Sequence, residues 1–290
     1  MSALMEDAVN ALSPGALAAY RRNDFADIAF ADDTLLLGTS TEYLSEFAEA
    51  VAQSGRAYGL ELHVDKFQLL QINTQRRVRI AGNPVTAETK IAYLGTTLCE
   101  DGRMATELSR RIGLAASDFR TIQQVWRHSS LPLSWRLRVF SSLIMSKLMY
   151  SLPAGCFTKA ELRRLDGFQA RCLRRILRIP HSFVSRISNV SVLQKAGCEA
   201  ASLQLRRKQL QLLGRVVRHP QGTCMRDVTF VPGSLRPATD RYVRRVGAPR
   251  KEWVRDVVPE AIRLTGSLSN LQAAATNAGY WKRIVRQAVI

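Results

Sequence analysis

The chain has 290 residues, of which 46% are hydrophobic, and a formal net charge of +18. This length and apolar content predict a sizeable core and one or two globular domains. No run approaches the ~18 consecutive apolar residues of a membrane span, so we expect no membrane partner. Glu6 and Asp7 stand where a secretory leader would be basic, so no signal peptide is expected.

The charge is distributed unevenly along the chain. Residues 1–102 carry 8 Lys and Arg against 14 Asp and Glu, a net charge of −6, whereas residues 103–290 carry 34 against 10, a net charge of +24. A segment this basic predicts a polyanionic partner, with phosphate backbones as the obvious candidate. The alternative is a basic surface that serves solubility only.

The five cysteines are odd in number and widely spread. This pattern predicts free thiols in a reducing, intracellular compartment rather than a disulfide framework. The arginine runs suit a nuclear import signal and a nucleic-acid patch equally, so the sequence leaves nucleus and cytoplasm open.

The first distinctive element spans Ile28–Leu37, where two adjacent carboxylates separate two short apolar runs. The pattern predicts strand, turn and strand, with Asp32 and Asp33 at the turn and the apolar flanks buried. Paired carboxylates on a rigid support suit Mg²⁺ in a two-metal phosphoryl-transfer site. By spacing alone, however, an Asp-Asp turn is most often only a turn, because Asp tolerates turn conformations and bonds its own backbone.

A helix and further strands are predicted next. Ser40 or Thr41 begins a helix that Gly55 or Gly59 ends. Further strands are predicted at Leu60–Ile72, in a hairpin over residues 78–85 and at Ile91–Leu98.

From Met104 onward the apolar residues recur every three or four positions. This period predicts amphipathic helices that begin near Met104, Leu133, Leu162 and Ala200. Pro180 is expected to stop the third helix, and clustered Pro and Gly beyond Pro220 indicate a linker.

Four segments carry a family resemblance, in order along the chain. Phe30-Ala31-Asp32-Asp33 resembles the aromatic-Ala-Asp-Asp box of reverse transcriptases, in the non-LTR (LINE-type) retrotransposon branch. Gly59–Lys66 resembles the next box of that family, although His63 stands where Asn is usual. Tyr93-Leu94-Gly95 resembles the primer-grip box. Leu165–Gln169, together with Cys172–Leu177, resembles a helix found just past the polymerase core.

The resemblance implies an α+β fold: an incomplete polymerase palm, of antiparallel strands with a helix, over residues 1–98. An α-helical, thumb-like bundle would follow over residues 99–220, and a basic linker and tail over residues 221–290. In the family, the first metal-binding Asp and a Gln-Gly box lie upstream of the Ala-Asp-Asp turn, and residues 1–27 contain neither.

The activity that this resemblance implies is RNA-directed DNA synthesis from dNTPs. It makes Asp32 and Asp33 ligands of catalytic Mg²⁺ and places Lys66 near the leaving pyrophosphate. The turn at Tyr93, Leu94 and Gly95 would bring backbone against the primer. Because the upstream boxes are missing, we expect this chain by itself to polymerise poorly or not at all. The plainer alternatives are an idle turn, a solvated lysine and an ordinary strand bend.

A stripe of arginines accompanies the third helix. Arg164, Arg171, Arg175 and Arg178 are spaced to share one helix face, with few acidic residues nearby. Such a stripe is usually a solvated face, but unpaired guanidiniums repel one another unless an anion such as phosphate lies across them. The basic surface is predicted to continue on the next helix at Arg206, Arg207, Lys208, Arg215 and Arg218.

Four tryptophans could stack on unpaired bases. Trp126 lies on an apolar stripe and is predicted to be core, whereas Trp253 and Trp281 are the better stacking candidates. The predicted partners are RNA and RNA–DNA hybrids. The alternatives to the enzyme are a non-catalytic RNA- or DNA-binding protein derived from a retroelement, and a decayed reading frame that does not fold stably.

Overall fold

The computed structural model describes residues 2–31, 33–61, 63, 66–72, 74, 77–80, 83–127, 130–238 and 251–287. The chain is an α+β protein that divides into two compact units, Met1–Gly102 and Arg103–Ile290. No helix among the described residues is long and apolar enough to span a membrane.

The first unit combines helices with short strand pairs. Its elements are α1 (Ser2–Asn10), α2 (Pro14–Arg21), β1 (Phe25–Phe30), β2 (Asp33–Gly38), α3 (Thr41–Ala57), β3 (Leu69–Leu70), β4 (Val78–Ile80), β5 (Asn83–Val85), β6 (Ala87–Glu88), β7 (Lys90–Tyr93) and β8 (Thr96–Cys99). β1–β2, β4–β5 and β7–β8 pair antiparallel, and β3–β6 pair parallel.

The predicted hairpin at the paired carboxylates is confirmed. β1 and β2 pair along their whole length, with Phe25 opposite Gly38 and Phe30 opposite Asp33. The prediction that apolar flanks bury this ribbon is wrong, since Ile28 is 45% exposed and Phe30 61% exposed. Among the described residues no third strand joins the pair, and the helical core covers only the Phe25 end.

Helix α3 and the β4–β5 hairpin agree with the predictions, but two other strands do not. The Ser40 hydroxyl accepts from the Tyr43 N–H and begins α3. Within Leu60–Ile72, strand structure among the described residues is confined to β3, and the Lys66 N–H donates to the His63 carbonyl rather than to a neighbouring strand. The strand predicted over Ile91–Leu98 is a hairpin, β7–β8, which turns through the left-handed backbone of Leu94 and Gly95.

The second unit is helical. Its elements are α4 (Ala105–Thr121), α5 (Gln123–Arg127), α6 (Leu133–Val139), a π-helical segment (Phe140–Met145), α7 (Ser146–Leu148), a 3₁₀ turn (Leu152–Ala154), α8 (Lys159–Ile176), α9 (Ser182–Ser185), α10 (Asn189–Ala196), α11 (Ala201–Arg218), α12 (Cys224–Thr229), α13 (Trp253–Thr265), α14 (Leu268–Thr276) and α15 (Ala278–Gln287).

The first core of this unit lies between α4, α5, α8, α10 and the π-helical segment. The helix predicted from Met104 through Trp126 breaks at Ile122. Trp126 is buried as predicted: its ring stacks on Phe119 at 5.0 Å, and its Nε1 donates to the Phe119 carbonyl at 3.0 Å. A continuous helix would use that carbonyl for its own backbone ladder, so the tryptophan stabilises the break.

A second core joins α11 to α13, α14 and α15. The residues predicted as a basic linker and tail therefore include packed structure, and α12 with the Phe230–Pro237 bridge occupies much of the predicted linker. Trp281 is 2% exposed and donates its Nε1 to the Leu210 carbonyl at 2.8 Å. The indole lies against Gly214, where a Cβ would come within 2.3 Å of it.

Candidate nucleic-acid interface

A groove of about 620 Å³ lies on the second unit between α4, α5 and α8. Its floor is apolar and includes Ile112, Phe119 and Phe168. The lining also includes six arginines and one histidine: Arg120, Arg127, Arg171, Arg174, Arg175, Arg178 and His181. Among the described residues that line the groove there is no Asp or Glu, so the groove is a concentrated site of positive charge.

Arg171 and Arg175 supply the free charge that the sequence predicted. Both are exposed on α8, one turn apart, and neither forms an ion pair or side-chain hydrogen bond with any described residue. The nearest acidic residues in sequence are Asp166 and Glu199, and the 32 residues from Gly167 to Cys198 contain neither Asp nor Glu. The two guanidiniums therefore repel each other, and no carboxylate among the described residues pairs with them to offset the repulsion.

The other two arginines of the predicted stripe have protein partners. Arg164 donates from Nη2 to the Ser109 hydroxyl of α4 at 3.0 Å. Arg178 lies beyond the end of α8, which corrects the prediction of four arginines on one helix face. Its backbone is left-handed (φ 57°), and its Nη2 donates to the Arg127 carbonyl at 3.0 Å.

The end of α8 has a clear physical cause. Pro180 disfavours helical backbone at Ile179, so the helix has to end before it. The Arg178 N–H donates to the Arg175 carbonyl and the Ile179 N–H to the Arg174 carbonyl, which is the pattern of a Schellman motif. This cap redirects Arg178 toward α5 while leaving its side chain in the groove lining.

The segment Leu165–Gln169 has a structural role. Leu165 and Phe168 are buried in the first core. Asp166 accepts from the Ser202 N–H and hydroxyl, both at 2.8 Å, and the Gln169 Oε1 accepts from the Ala201 N–H at 2.7 Å. Two side chains of α8 thus cap the first turn of α11, whose own N-cap residue is an alanine.

The predicted cations of α11 are largely committed to the protein. Arg206 pairs with Asp256 at 2.9 Å and Arg207 pairs with Glu199 at 2.5 Å, and both arginines are less than a quarter exposed. Lys208 is exposed. Arg215 is also exposed, and Arg218 donates to the Ala275 carbonyl at 2.8 Å. Of the five cations predicted to extend the basic surface onto α11, Lys208 and Arg215 are therefore the exposed ones.

The two tryptophans predicted to stack on bases are Trp253 and Trp281. Trp281 is buried, so its stacking prediction is wrong. Trp253 is half-buried and donates its Nε1 to the Pro153 carbonyl at 2.7 Å, and its stacking stays a prediction. Trp135 is 53% exposed and lies under the Arg138 guanidinium, 5.0 Å from the ring centroid.

Arg120 and Arg127 were absent from the sequence prediction although both line the groove. They lie on α4 and α5, away from the arginine stripe along the chain. No local pattern identifies them, because the groove exists only once these helices pack against α8.

In the first unit, the Tyr93–Gly95 turn lies against the carboxylate hairpin. The Tyr93 hydroxyl donates to the Ile28 carbonyl of β1 at 3.2 Å. Burial and the negative charge of Asp33 raise the Tyr93 pKa above its ordinary value. Asp32 lies outside the described residues, and Lys66 is exposed beside its turn to His63.

Whether this region could hold Mg²⁺ depends on which carboxylates the fold brings together. A two-metal site needs carboxylates from more than one segment. In the part of the chain that the structure describes, no three His, Cys, Asp or Glu side chains cluster closely enough to hold a metal ion. Asp24 pairs with Arg22 at 2.9 Å, and Asp27 accepts from the Tyr20 hydroxyl at 2.7 Å. The described carboxylates thus do not assemble the ligand set.

The cysteines are all free, as predicted. Cys172 lies in the groove lining, and burial raises the pKa of its thiol to about 12 despite the opposing charges of Arg171 and Arg175. This thiol is therefore protonated at neutral pH and is a poor nucleophile.

Comparison with known proteins adds no relative to these observations: no protein-family model, curated protein or solved structure matches the chain. The reverse-transcriptase resemblance rests on the four quoted segments, and a functional assignment has to come from the geometry of the two units.

Proposed function

We propose that this protein binds nucleic-acid backbones, in particular RNA–DNA hybrid or duplex RNA, through the arginine groove of its second unit. The observation that carries the proposal is the groove itself, whose described lining residues include six arginines and a histidine and no acidic residue. Guanidiniums bind phosphate oxygens in a bidentate geometry and release condensed counterions as they do so. Their contacts to phosphates fix position without reading sequence, so binding should be largely independent of base sequence.

The phosphate contacts are tested by salt dependence. Binding of the full chain to an RNA–DNA hybrid is followed by fluorescence anisotropy between 50 and 200 mM salt, over which contacts to ~6 phosphates reduce the affinity about a thousandfold. The Arg171→Ala/Arg175→Ala variant should bind more weakly at low salt. Its slope of log affinity against log salt should be shallower by about two.

A matched control is Arg263→Ala, because Arg263 is also an exposed helical arginine of the second unit but pairs with Glu260. It should bind as the unaltered protein does. A salt-independent affinity, or equal behaviour of the two variants, would overturn the proposal.

We also retain a second candidate, a polymerase active site in the first unit. It is supported by the resemblance of the chain to LINE-type reverse transcriptases and by the hydrogen bond from Tyr93 to Ile28, which brings the Tyr93–Gly95 turn to the hairpin that carries Asp33. The proposed activity would be RNA-directed DNA synthesis with Mg²⁺.

Primer extension tests this candidate. The full chain is incubated with an RNA template, an annealed DNA primer, dNTPs and Mg²⁺, beside its Asp32→Ala/Asp33→Ala variant. Extension that the variant loses would support the polymerase. A folded chain that binds the hybrid without extending it would leave the non-catalytic binding protein.

A further inference from the structure

The segment that follows α8 exposes an apolar cluster. Phe183 is 76% exposed, Val184 60% and Val190 64%. Single apolar residues on a surface are ordinary, but a cluster of large ones in one short segment indicates an interaction site. These side chains have no role in either core of the second unit.

This cluster is held in place by a buried arginine. Arg174 is 6% exposed and donates from Nη1 to the Pro180 carbonyl at 3.1 Å and the Ser185 hydroxyl at 3.3 Å. Its Nη2 donates to the Ile187 carbonyl at 2.6 Å and to Asn189 Oδ1 at 3.1 Å. One guanidinium thus fixes both sides of the loop, so the apolar side chains are presented on a pre-organised support rather than on a free loop.

The cluster follows the arginine groove along the chain. Pro180 and His181 line the groove, and Phe183 follows two residues later. The cations Arg178 and Arg186 flank it, and the nearest acidic residues along the chain are Asp166 and Glu199.

This charge environment selects the occupant. It favours a polyanion, and it disfavours a second copy of the chain, because a symmetric contact would bring two such cationic surfaces together.

We infer that Phe183, together with Val184, is an apolar wedge that stacks on the terminal base pair at the open end of the nucleic acid whose backbone lies in the groove. Aromatic side chains stack on any base, and apolar wedges unstack base steps in many architectural proteins. The inference rests on the proposed nucleic-acid binding and adds to it the part of the ligand that is recognised.

The test uses the full chain and an open-ended RNA–DNA hybrid that carries 2-aminopurine as its terminal base. Binding should change the 2-aminopurine fluorescence. Phe183→Ala should abolish that change and weaken binding about fivefold or more, the loss expected for one stacked base. On a hybrid closed at both ends by covalent loops, the variant and the unaltered chain should bind equally.

Tyr280→Ala is the matched control, because Tyr280 is a 48% exposed aromatic residue of the same unit with Arg283 near its ring. It should leave both signals unchanged. Phe183→Tyr, which keeps an aromatic ring, should restore the fluorescence change. Because the Phe183 side chain is mostly in solvent, its removal should not alter thermal unfolding, which serves as the check on folding.

Two results would overturn the wedge. One is a Phe183→Ala variant that keeps the fluorescence change and the affinity while its binding remains salt-dependent; the wedge then fails and the groove survives. The other is a change in oligomeric state on sedimentation, which would assign the cluster to a contact between copies of the chain. Failure of the groove itself is distinguishable, since it would appear in the Arg171→Ala/Arg175→Ala variant.

Discussion

The two units of this protein differ in the sign of their net charge and in the number of their hydrophobic cores. The first has a net charge of −6 and one small helical core, and its hairpin of β1 and β2 leaves Phe30 exposed at the carboxylate end. The second has a net charge of +24 and two helical cores, with tryptophans and polar side chains buried inside them. The acidic unit therefore has the smaller core. The basic unit has the two larger cores, and the helices packed around them hold the exposed arginines.

A practical consequence is that all four tryptophans belong to the second unit. Tryptophan fluorescence reports the unfolding of that unit, whereas hydrogen exchange in α2, α3 and the β1–β2 hairpin reports the local stability of the first. Substitutions in each unit therefore test the stability of that unit separately.

The largest effect is expected at Glu107, which is fully buried in α4. Its carboxylate accepts from Arg111 at 2.6 Å, from Arg110 at 2.8 Å and from the Ser151 hydroxyl at 2.9 Å. Glu107→Ala removes the partner of the buried Arg111 and should lower the free energy of unfolding of the second unit by about 3–5 kcal/mol. Chemical denaturation followed by tryptophan fluorescence measures this loss.

Glu260→Ala is the control for that experiment, because Glu260 pairs with Arg263, which is 63% exposed. An ion pair of this kind contributes about 0–1 kcal/mol. Equal losses in the two variants would contradict the role assigned to burial.

A smaller effect is expected in the first unit at Tyr20, which packs against Phe25 and Phe47 and donates to Asp27 at 2.7 Å. Tyr20→Phe should cost about 1 kcal/mol at neutral pH, the contribution of one hydrogen bond. Faster hydrogen exchange in α2 and β1 would show the loss, with tryptophan fluorescence unchanged. Tyr58→Phe, which removes an exposed bond to Asp7, should have a smaller effect.

The same tyrosine makes the stability of the first unit depend on pH. Burial, then the hydrogen bond and charge of Asp27, raise the pKa of Tyr20 from 10.0 to about 12. The folded state therefore holds the phenol proton more tightly than the unfolded state. Its contribution to stability is complete below pH 10 and is lost as the pH rises from about 10 to 12. Ultraviolet titration should show a late tyrosinate step that Tyr20→Phe removes.

The smallest effect is expected at Ala31, which follows β1 with a left-handed backbone (φ 55°). A residue with a Cβ pays a conformational penalty there that glycine does not. Ala31→Gly should stabilise the hairpin by about 0.5 kcal/mol and slow hydrogen exchange in β1 and β2. Ala29→Gly, within β1, should have the opposite sign, since glycine weakens an extended strand. If the two variants changed the stability of the hairpin in the same direction, backbone strain at Ala31 would not be the cause.

The helices and the hairpin of this protein could be predicted from sequence because they follow from local rules. Apolar spacing placed α8 and α11, Ser40 marked the start of α3, and the apolar runs around Asp32 and Asp33 placed β1 and β2. The charge division between the units is also a property of composition alone. These features depend on residues that are neighbours along the chain.

The state of individual charges and rings was decided by tertiary structure. Arg206 is neutralised by Asp256, fifty residues away, while Arg171 and Arg175 have no such partner among the described residues. Trp281 is buried against Gly214 and not available for stacking. Whether a guanidinium is free or an indole exposed depends on which distant segment packs on it, and periodicity within one helix contains no information about that neighbour. The sequence alone therefore determined that this protein has a basic helical unit, and only the fold decided which of its cations line a groove.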